Sequence, residues 1–413
     1  MTTESQGALS HIKVLDLSRV LAGPWCTQML ADLGADVIKV ERPIVGDDTR
    51  HWGPPFLQDA EGNNTEQASY YAACNRNKRS ITIDMSKSEG QELIRTLALQ
   101  SDIVVENFKV GGLTQYGLDF ESLKKLNPRL IYCSITGFGQ DGPYAERAGY
   151  DLMIQAMTGM MSITGQADGP PTRVGVAVID VFTGVYATSA ILAALEVRHR
   201  TGEGQLIDMA LLDVGMAILA NQSAGFLNTA KVPLRQGNSH PSLAPYQDFE
   251  TADGAMLLAI GNDGQFARFC SVAGHAEWAS DERFTSNTAR VTHRVALVEL
   301  MQAATRRRST ADWIAALEHK AVPCGPINTM EQAFADAQVQ HRGLKVTQST
   351  TVAVRAQTSV AAISSVASPL RLMSTPPVLR NPPPALGEHT LEVLSEMGLD
   401  AAQIAALQEG RVV

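Results

Sequence analysis

Two hydrophobic periods alternate along the first third of the chain. "IKVLDL" (12–17), "ADVIKVE" (35–41), "SITIDM" (80–85), "DIVVEN" (102–107) and "RLIYCSI" (129–135) are short runs rich in Ile and Val. Each has the length and composition of a buried strand. Between them, "PWCTQMLADLG" (24–34), a stretch from about Ser86 and "DFESLKKL" (119–126) carry apolar residues at helical spacing. Pro24 stands where a first helical residue belongs, Gly34 where a helix stops, and Glu89 is placed for a capping box. This β-α-β alternation predicts a parallel sheet with helices on both faces. Ligands of such sheets lie beyond the carboxyl ends of the strands. The loops after Leu17, Glu41, Met85, Asn107 and Ile135 are therefore where chemistry is expected.

"RVGVAVIDVFTGVYATSAILAALEVRHR" (173–200) reads as a buried strand, 174–179, running into a long apolar helix, with Asp180 at the junction. Taken alone, Asp180 reads as a helix cap, because its carboxylate suits the first N–H groups and the positive helix end. After Gln205 the pattern changes to a strand and a long helix, then a hairpin over 245–266 turning at Ala252–Asp253–Gly254, then helical stretches to about Ala321. The stretch 347–384 is rich in Val, Ser, Thr and Pro and reads as extended connector, and "HTLEVLSEMGL" as a last helix. The expected organisation is a large α/β domain over 1–222, a smaller α+β domain over 223–330, and an extended linker with a C-terminal segment over 331–413.

Composition narrows the chemistry. The chain has 413 residues, 45% hydrophobic and 19% charged, which is ordinary for a globular enzyme. No apolar run approaches the ~20 residues of a membrane span. "MTTESQGALSH" lacks the basic start and apolar core of a signal peptide. A cytoplasmic protein without a membrane partner is expected. The net charge of −9 argues against nucleic acid as a partner. Five scattered cysteines form no CxxC pair and read as reduced. HExxH, GxSxG and the Walker loop are absent, so no metal is expected and no triad or nucleotide triphosphatase. "GFGQDG" (137–142) matches GxGxxG, but it comes late, Pro143 follows it, and no acid ends a next strand; a glycine-rich site loop is the better reading. The basic runs "KVERP" (39–43) and "NRNKRS" (75–80) lie near ligand-facing loops, where cations pair with phosphates. Arg50 in "GDDTRHWGPPF" and His240 in "GNSHPSLAPYQDF" complete the candidates.

"IKVLDLSRVLAGPWCTQMLADLGADVIKVERP", "YAACNRNKRSI", "DIVVENF", "AGYDLMIQAMTGMMSITG", "VGVAVIDVFTG", "LAALEVRHRTGEGQ", "VPCGPINTM" and "LGEHTLEVLSEMGL" together resemble the class III CoA-transferases, the family of formyl-CoA and carnitine CoA-transferases, from about residue 11 to 413. The resemblance implies a large Rossmann-like parallel-sheet domain, a smaller α+β domain, a segment over 331–413 that returns to the large domain, and an interlocked homodimer. It implies that Asp180 is the nucleophile, forming an anhydride and then an aspartyl-CoA thioester. A carboxylate of ordinary pKa ~4 is ionised at neutral pH, so no activating base is needed. CoA contacts carry over to Leu21, Ala22, Arg42, Ile83, Met85, Asn107, Phe108, Lys109, Tyr150 and Asp151. No tightly bound cofactor is implied; the CoA thioester is a substrate. The "GNSHPS" loop is the expected source of N–H donors for the negative oxygens. Ser86, Gln115 and Ala148 stand where the oxalate-using formyl-CoA transferases are basic, and "GNSHPSLAPY" replaces their glycine lid. These departures favour the branch moving CoA between short dicarboxylic acids, such as succinyl-CoA to glutarate. Arg50, ahead of His240, is then expected to bind the acceptor's far carboxylate. The alternatives are an α-methylacyl-CoA racemase-like isomerase, whose His would stand where this chain has Tyr150, or an inactive CoA-binding homologue.

Overall fold

The computed structural model describes residues 7–59, 62–349, 353–354, 358–359 and 362–413. Six strands, β1 (Lys13–Asp16), β2 (Asp36–Glu41), β3 (Lys78–Thr82), β4 (Ile103–Glu106), β5 (Ile131–Thr136) and β6 (Leu206–Ala210), form one sheet. Its order is β3-β2-β1-β4-β5-β6, every pair parallel. The order reverses between β1 and β4, which places the ligand crevice of a doubly wound sheet beyond their carboxyl ends. The strands are short because each must cross only one core layer. Leu15, Val40, Ile81, Val104 and Tyr132 pack on one face with Ile94 and Leu394, all buried. Each such side chain contributes roughly 1.5–3 kcal/mol of burial.

The helices of this unit that the argument uses are α1 (Ala22–Asp32), α2 (Ser88–Leu99), α3 (Phe120–Leu126), α4 (Asp151–Met157), α5 (Val178–Thr201) and α6 (Leu211–Ala217); the expected last helix forms at Thr390–Glu396, but a further one, Ala401–Glu409, follows it. Pro24 is in the first turn of α1, and Gly34 takes φ +108° just beyond its end. The expected capping box at Glu89 does not form: α2 starts at Ser88, and its cap position, Lys87, offers no side-chain acceptor. The expected strand at 174–179 is also absent. Val176 is exposed, and α5 begins at Val178. By length and a mean hydropathy of 1.8, α5 could cross a membrane, contrary to the sequence expectation of no such run. Its apolarity is explained on one side by packing, since Ile179, Ala187, Ile191, Ala194 and Leu195 are buried. On the other side Phe182 and Tyr186 are 42% and 43% exposed.

The chain divides into two units, one of Met1–Thr158, Gly175–Ser223 and Gln340–Val413, the other of Gly159–Val174 and Ala224–Val339. The sequence division placed 159–174 in the large domain and began the returning segment at 331; the structure moves both boundaries. The second unit holds an antiparallel sheet of Cys324–Pro326, Ala255–Ala259 and Tyr246–Glu250. The Thr251 N–H donates to the Gly254 carbonyl at 2.9 Å, closing the expected hairpin. Phe249, Phe266, Phe269 and Trp313 form its core. The supposed connector 347–384 is not plain coil throughout: Lys345–Ser349 pairs antiparallel with Ala362–Val366. Residues 350–352, 355–357 and 360–361 of that stretch lie outside the described residues. Beyond it the chain is pinned to the first unit, the Val378 N–H reaching the Asp32 carbonyl at 2.8 Å and the Asn77 N–H the Asn381 carbonyl at 3.0 Å.

Candidate active site

The start of α5 brings two of the candidate residues, Asp180 and Asp151, together. Asp180 is the third residue of this helix, half-buried, and it is not the cap; that position belongs to Ala177, which has no side-chain acceptor. The capping task falls to Asp151, the first residue of α4. Its Oδ1 accepts from the Ile179 N–H at 2.7 Å and the Asp180 N–H at 3.3 Å, and its Oδ2 accepts from Gln155 Nε2 at 2.6 Å. Asp151 is thus buried and engaged, and the helix end receives its negative charge from a neighbouring helix. Asp180 is left with a carboxylate that no donor among the described residues reaches within hydrogen-bond distance. Burial, and then the Asp151 charge, push its pKa from the ordinary carboxylate range up to about 7. This corrects the expectation of an unperturbed, fully ionised acid.

Glycines bring these pieces together. A Cβ on Gly137 would lie 2.6 Å from the Gly149 Cα, so the loop after β5 and the entry to α4 touch backbone to backbone. Here "GFGQDG" finds its use, together with the glycine of "AGYD". On the other side, a Cβ on Gly184 would meet the Ala22 carbonyl oxygen at 2.8 Å and the Trp25 Cβ at 3.0 Å. The first turn of α1 therefore packs one turn beyond Asp180. Tyr70 was missed by the sequence reading. Burial raises its phenol pKa to about 12, with Asp180 the next cause and Asp151 a lesser one. Its ring meets Trp52 edge-on at 5.6 Å. The adjacent Tyr71 opened the quoted family motif, but nothing in the pattern marks Tyr70 as near enough to feel the acid's charge.

The remaining candidates divide. Leu21 and Ala22 begin α1 at the carboxyl end of β1. Arg42 and Lys109 are exposed past the ends of β2 and β4, and Tyr150 is exposed just before α4. Ile83 is a core residue, and Met85 and Phe108 pack against that core. Asn107 spends its amide on the loop after β1. His240 is in the second unit, its Nδ1 accepting from the Ser242 N–H at 3.1 Å. The "GNSHPS" loop is a poor source of oxyanion donors, because Gly237, Ser239, His240 and Ser242 all donate their N–H groups within that unit.

Arg50 is the clearest correction. Its fork is bidentate to Glu41, Nε to Oε2 at 2.8 Å and Nη2 to Oε1 at 2.7 Å, with a further bond to the Pro384 carbonyl at 3.1 Å. The guanidinium lies 3.7 Å from the Tyr71 ring centre. The Nε and Nη2 donors are thus taken by Glu41 and the Pro384 carbonyl, so the bidentate edge expected to meet a substrate carboxylate is already occupied. The basic runs were misread for the same reason. Lys39 pairs with Asp47 at 3.0 Å and Lys78 with Asp16 at 3.0 Å, all four side chains fully buried, while Arg76 binds Asp32. Burial alone would raise the Asp16 carboxyl, but Lys78 and Lys39 outweigh it and hold the pKa at about 2. Arg50→Ala should therefore act on stability. Leaving Glu41 buried and unpaired should cost on the order of 3–5 kcal/mol in denaturant unfolding. The acceptor Michaelis constant of the surviving folded protein should not change; a selective rise in it would restore the substrate role.

The matches to known proteins agree with this geometry. Residues 9–390 match CoA-transferase family III. A succinate–glutarate CoA-transferase of Agrobacterium fabrum is 53% identical over 389 residues, covering 94% of this chain and 95% of the relative. A succinyl-CoA:glutarate CoA-transferase of Mus musculus is 42% identical, covering 95% of this chain and 87% of the relative. The crystal structure of a CAIB/BAIF family protein from Brucella suis superposes with a TM-score of 0.83 at 49% identity, covering 95% of this chain and all of that one. A free, half-buried carboxylate at the end that resembles "GVAVID", on a doubly wound sheet, and a family match along nearly the whole length lead to one conclusion: the chain belongs to CoA-transferase family III and is an enzyme of that family.

Proposed function

We propose that the protein moves CoA from succinyl-CoA to a dicarboxylic acid of four to six carbons through covalent intermediates on Asp180. The observation that carries this reading is the Asp180 carboxylate, half-buried and without a donor among the described residues, at a helix start that Asp151 holds. One Asp180 oxygen attacks the thioester carbonyl; the new C–O bond makes a mixed anhydride as the C–S bond breaks and CoA thiolate leaves. The thiolate attacks the Asp180 carbonyl of the anhydride, giving an aspartyl-CoA thioester and freeing the donor acid. The acceptor carboxylate then attacks that thioester, releasing thiolate and forming a second anhydride. Thiolate attack on the acceptor's carbonyl yields the new acyl-CoA and restores the Asp180 carboxylate. No proton changes hands between these intermediates, so the ionised carboxylate needs no hydrogen-bonded base.

Choice of a dicarboxylate is supported by the likeness to relatives named for succinate and glutarate. Incubation with succinyl-CoA and a panel of acids, read by the mass of new acyl-CoA, tests it. Glutarate and its neighbours in length should give product at least about tenfold faster than propionate or oxalate. Equal rates across the panel would remove the dicarboxylate reading, and no product from any acid would remove the transferase reading.

A homodimer is part of the same proposal, interlocked as the family resemblance implies. The exposed Phe182, Val185, Tyr186 and Leu192 on α5 support it, because a contiguous apolar helix face calls for a cover. Light scattering at micromolar protein should give twice the chain mass of 44.3 kDa; a monomer that stays folded on dilution would contradict it.

A further inference from the structure

The loop that joins β1 to α1 is held more tightly than a turn requires. Ser18, Arg19 and Val20 each have their backbone fixed by side chains from elsewhere in the sheet. The Ser18 carbonyl accepts from Lys39 Nζ at 2.7 Å. Arg19 is clasped at both ends by one amide: its N–H donates to Asn107 Oδ1 at 2.8 Å, and its carbonyl accepts from Asn107 Nδ2 at 2.7 Å. The Val20 N–H points between the two oxygens of Asp47, 3.3 Å from each. Asp47 is itself fully buried and paired with Lys39 at 3.0 Å. Lys39 comes from β2, Asp47 from the loop after β2, and Asn107 from the end of β4. The loop is thus gripped from both sides of the point where the strand order reverses.

The grip maintains strain. Val20 has φ +71°, the left-handed region that a β-branched residue rarely enters. A glycine or asparagine would take this shape at less cost. Directly after Val20 come Leu21 and Ala22, and the Ala22 carbonyl is in the contact with α5 at Gly184, one turn past Asp180. A shift of the loop would move the start of α1 against the helix that carries Asp180.

We propose that Asn107, Asp47 and Lys39 act as positioning residues. They hold Ser18–Val20 in this strained shape and so set the α1 edge of the acyl-CoA site relative to Asp180. Asn107 acts through the loop and does not itself bind CoA. The inference rests on the proposed CoA-transfer reading for its purpose, though the clamp can be tested apart from it.

The experiment is a double-mutant cycle of Asn107→Ala and Val20→Gly, read in two ways. Hydrogen exchange by mass spectrometry reports the loop without any substrate. In Asn107→Ala the amides of Arg19 and Val20 should exchange at least about tenfold faster, while that of Leu17, bonded to the Val105 carbonyl, should not change. Loss of Val20 protection is the telling part, since Asn107 does not touch that N–H. Unchanged exchange at Val20 would overturn the clamp. With succinyl-CoA as donor, Asn107→Ala should lower kcat/KM by roughly ten- to a hundredfold, the scale of a small misplacement. Val20→Gly alone should stay within about threefold of the wild type, with an unfolding midpoint equal to or above it, because glycine takes this φ without strain. In the double variant Val20→Gly should recover at least about threefold of the Asn107→Ala loss, because an unstrained loop needs less holding. A double variant that recovers less would make Asn107 an independent CoA contact and overturn the proposal. A wild type that transfers no CoA would fail the functional reading, while the exchange arm would still decide the clamp.

Discussion

Asp180→Asn is expected to fold and to lose at least about a thousandfold of turnover, roughly 4 kcal/mol of barrier. The structure removes the main reason such a variant might misfold. Asp180 is not the cap of α5, and its carboxylate accepts no hydrogen bond from the described residues; the helix start is held by Asp151 through the Ile179 and Asp180 N–H groups. Asparagine preserves the shape and leaves those bonds in place. What it cannot do is form an anhydride, because its amide nitrogen leaves no carboxylate oxygen to attack and later depart. Incubation of the wild type with succinyl-CoA alone should label the peptide containing Asp180, and hydroxylamine should discharge the label. The variant should show neither label nor turnover. Near-normal turnover, after deamidation back to Asp has been checked by mass, would take Asp180 out of the mechanism.

The strands of the large unit could be read directly, because a buried parallel strand needs a short β-branched run and little else supplies one. Asp180 could be named, though its surroundings could not. The run "VGVAV" has strand composition, yet it stands outside any sheet; α5 starts within it because Asp151, 28 residues earlier in the chain, satisfies the first helical N–H groups. Propensity was overridden by a contact that no local pattern encodes. Charge misled for a related reason. Lys39, Arg50, Arg76 and Lys78 look like ligand-binding cations by their places near loops, and each is buried against one acid, at Asp47, Glu41, Asp32 and Asp16. Sequence periodicity shows that a residue is polar but not that its partner is on the next strand. Tyr70 was invisible for the same reason, since its relation to Asp180 exists only once both elements sit on the sheet.

The raised proton affinity of Asp180 leads to the second large effect, a steep loss of activity in mild acid. Burial and the Asp151 charge put its pKa at about 7, so in the free enzyme the proposed nucleophile is half protonated at neutral pH. The kcat/KM for succinyl-CoA should rise with pH through 7 and level off above 8. Below 7 it should fall about tenfold per pH unit, reaching on the order of a hundredfold loss at pH 5. An ordinary carboxylate would give a flat profile from 5 to 8, and that outcome would show that Asp180 is solvated in the working enzyme. Stability must run the other way. The folded protein binds this proton more tightly than the unfolded chain, whose Asp titrates near 3.9. The contribution of Asp180 to folding is therefore fully present below pH 4 and is lost as pH rises through 7. At pH 8 the ionised group opposes folding by at most about 4 kcal/mol. Asp180→Asn should accordingly melt higher than the wild type at pH 8, with the gap closing toward pH 4. Asp151→Asn separates the two causes. An asparagine Oδ1 can still accept from the Ile179 N–H, and Gln155 can turn its amide to match. The charge is gone while burial remains, so the acid limb should move to lower pH without reaching 4. A limb that stays at 7 in this variant would leave burial alone as the cause and deny Asp151 any electrostatic part in tuning the nucleophile.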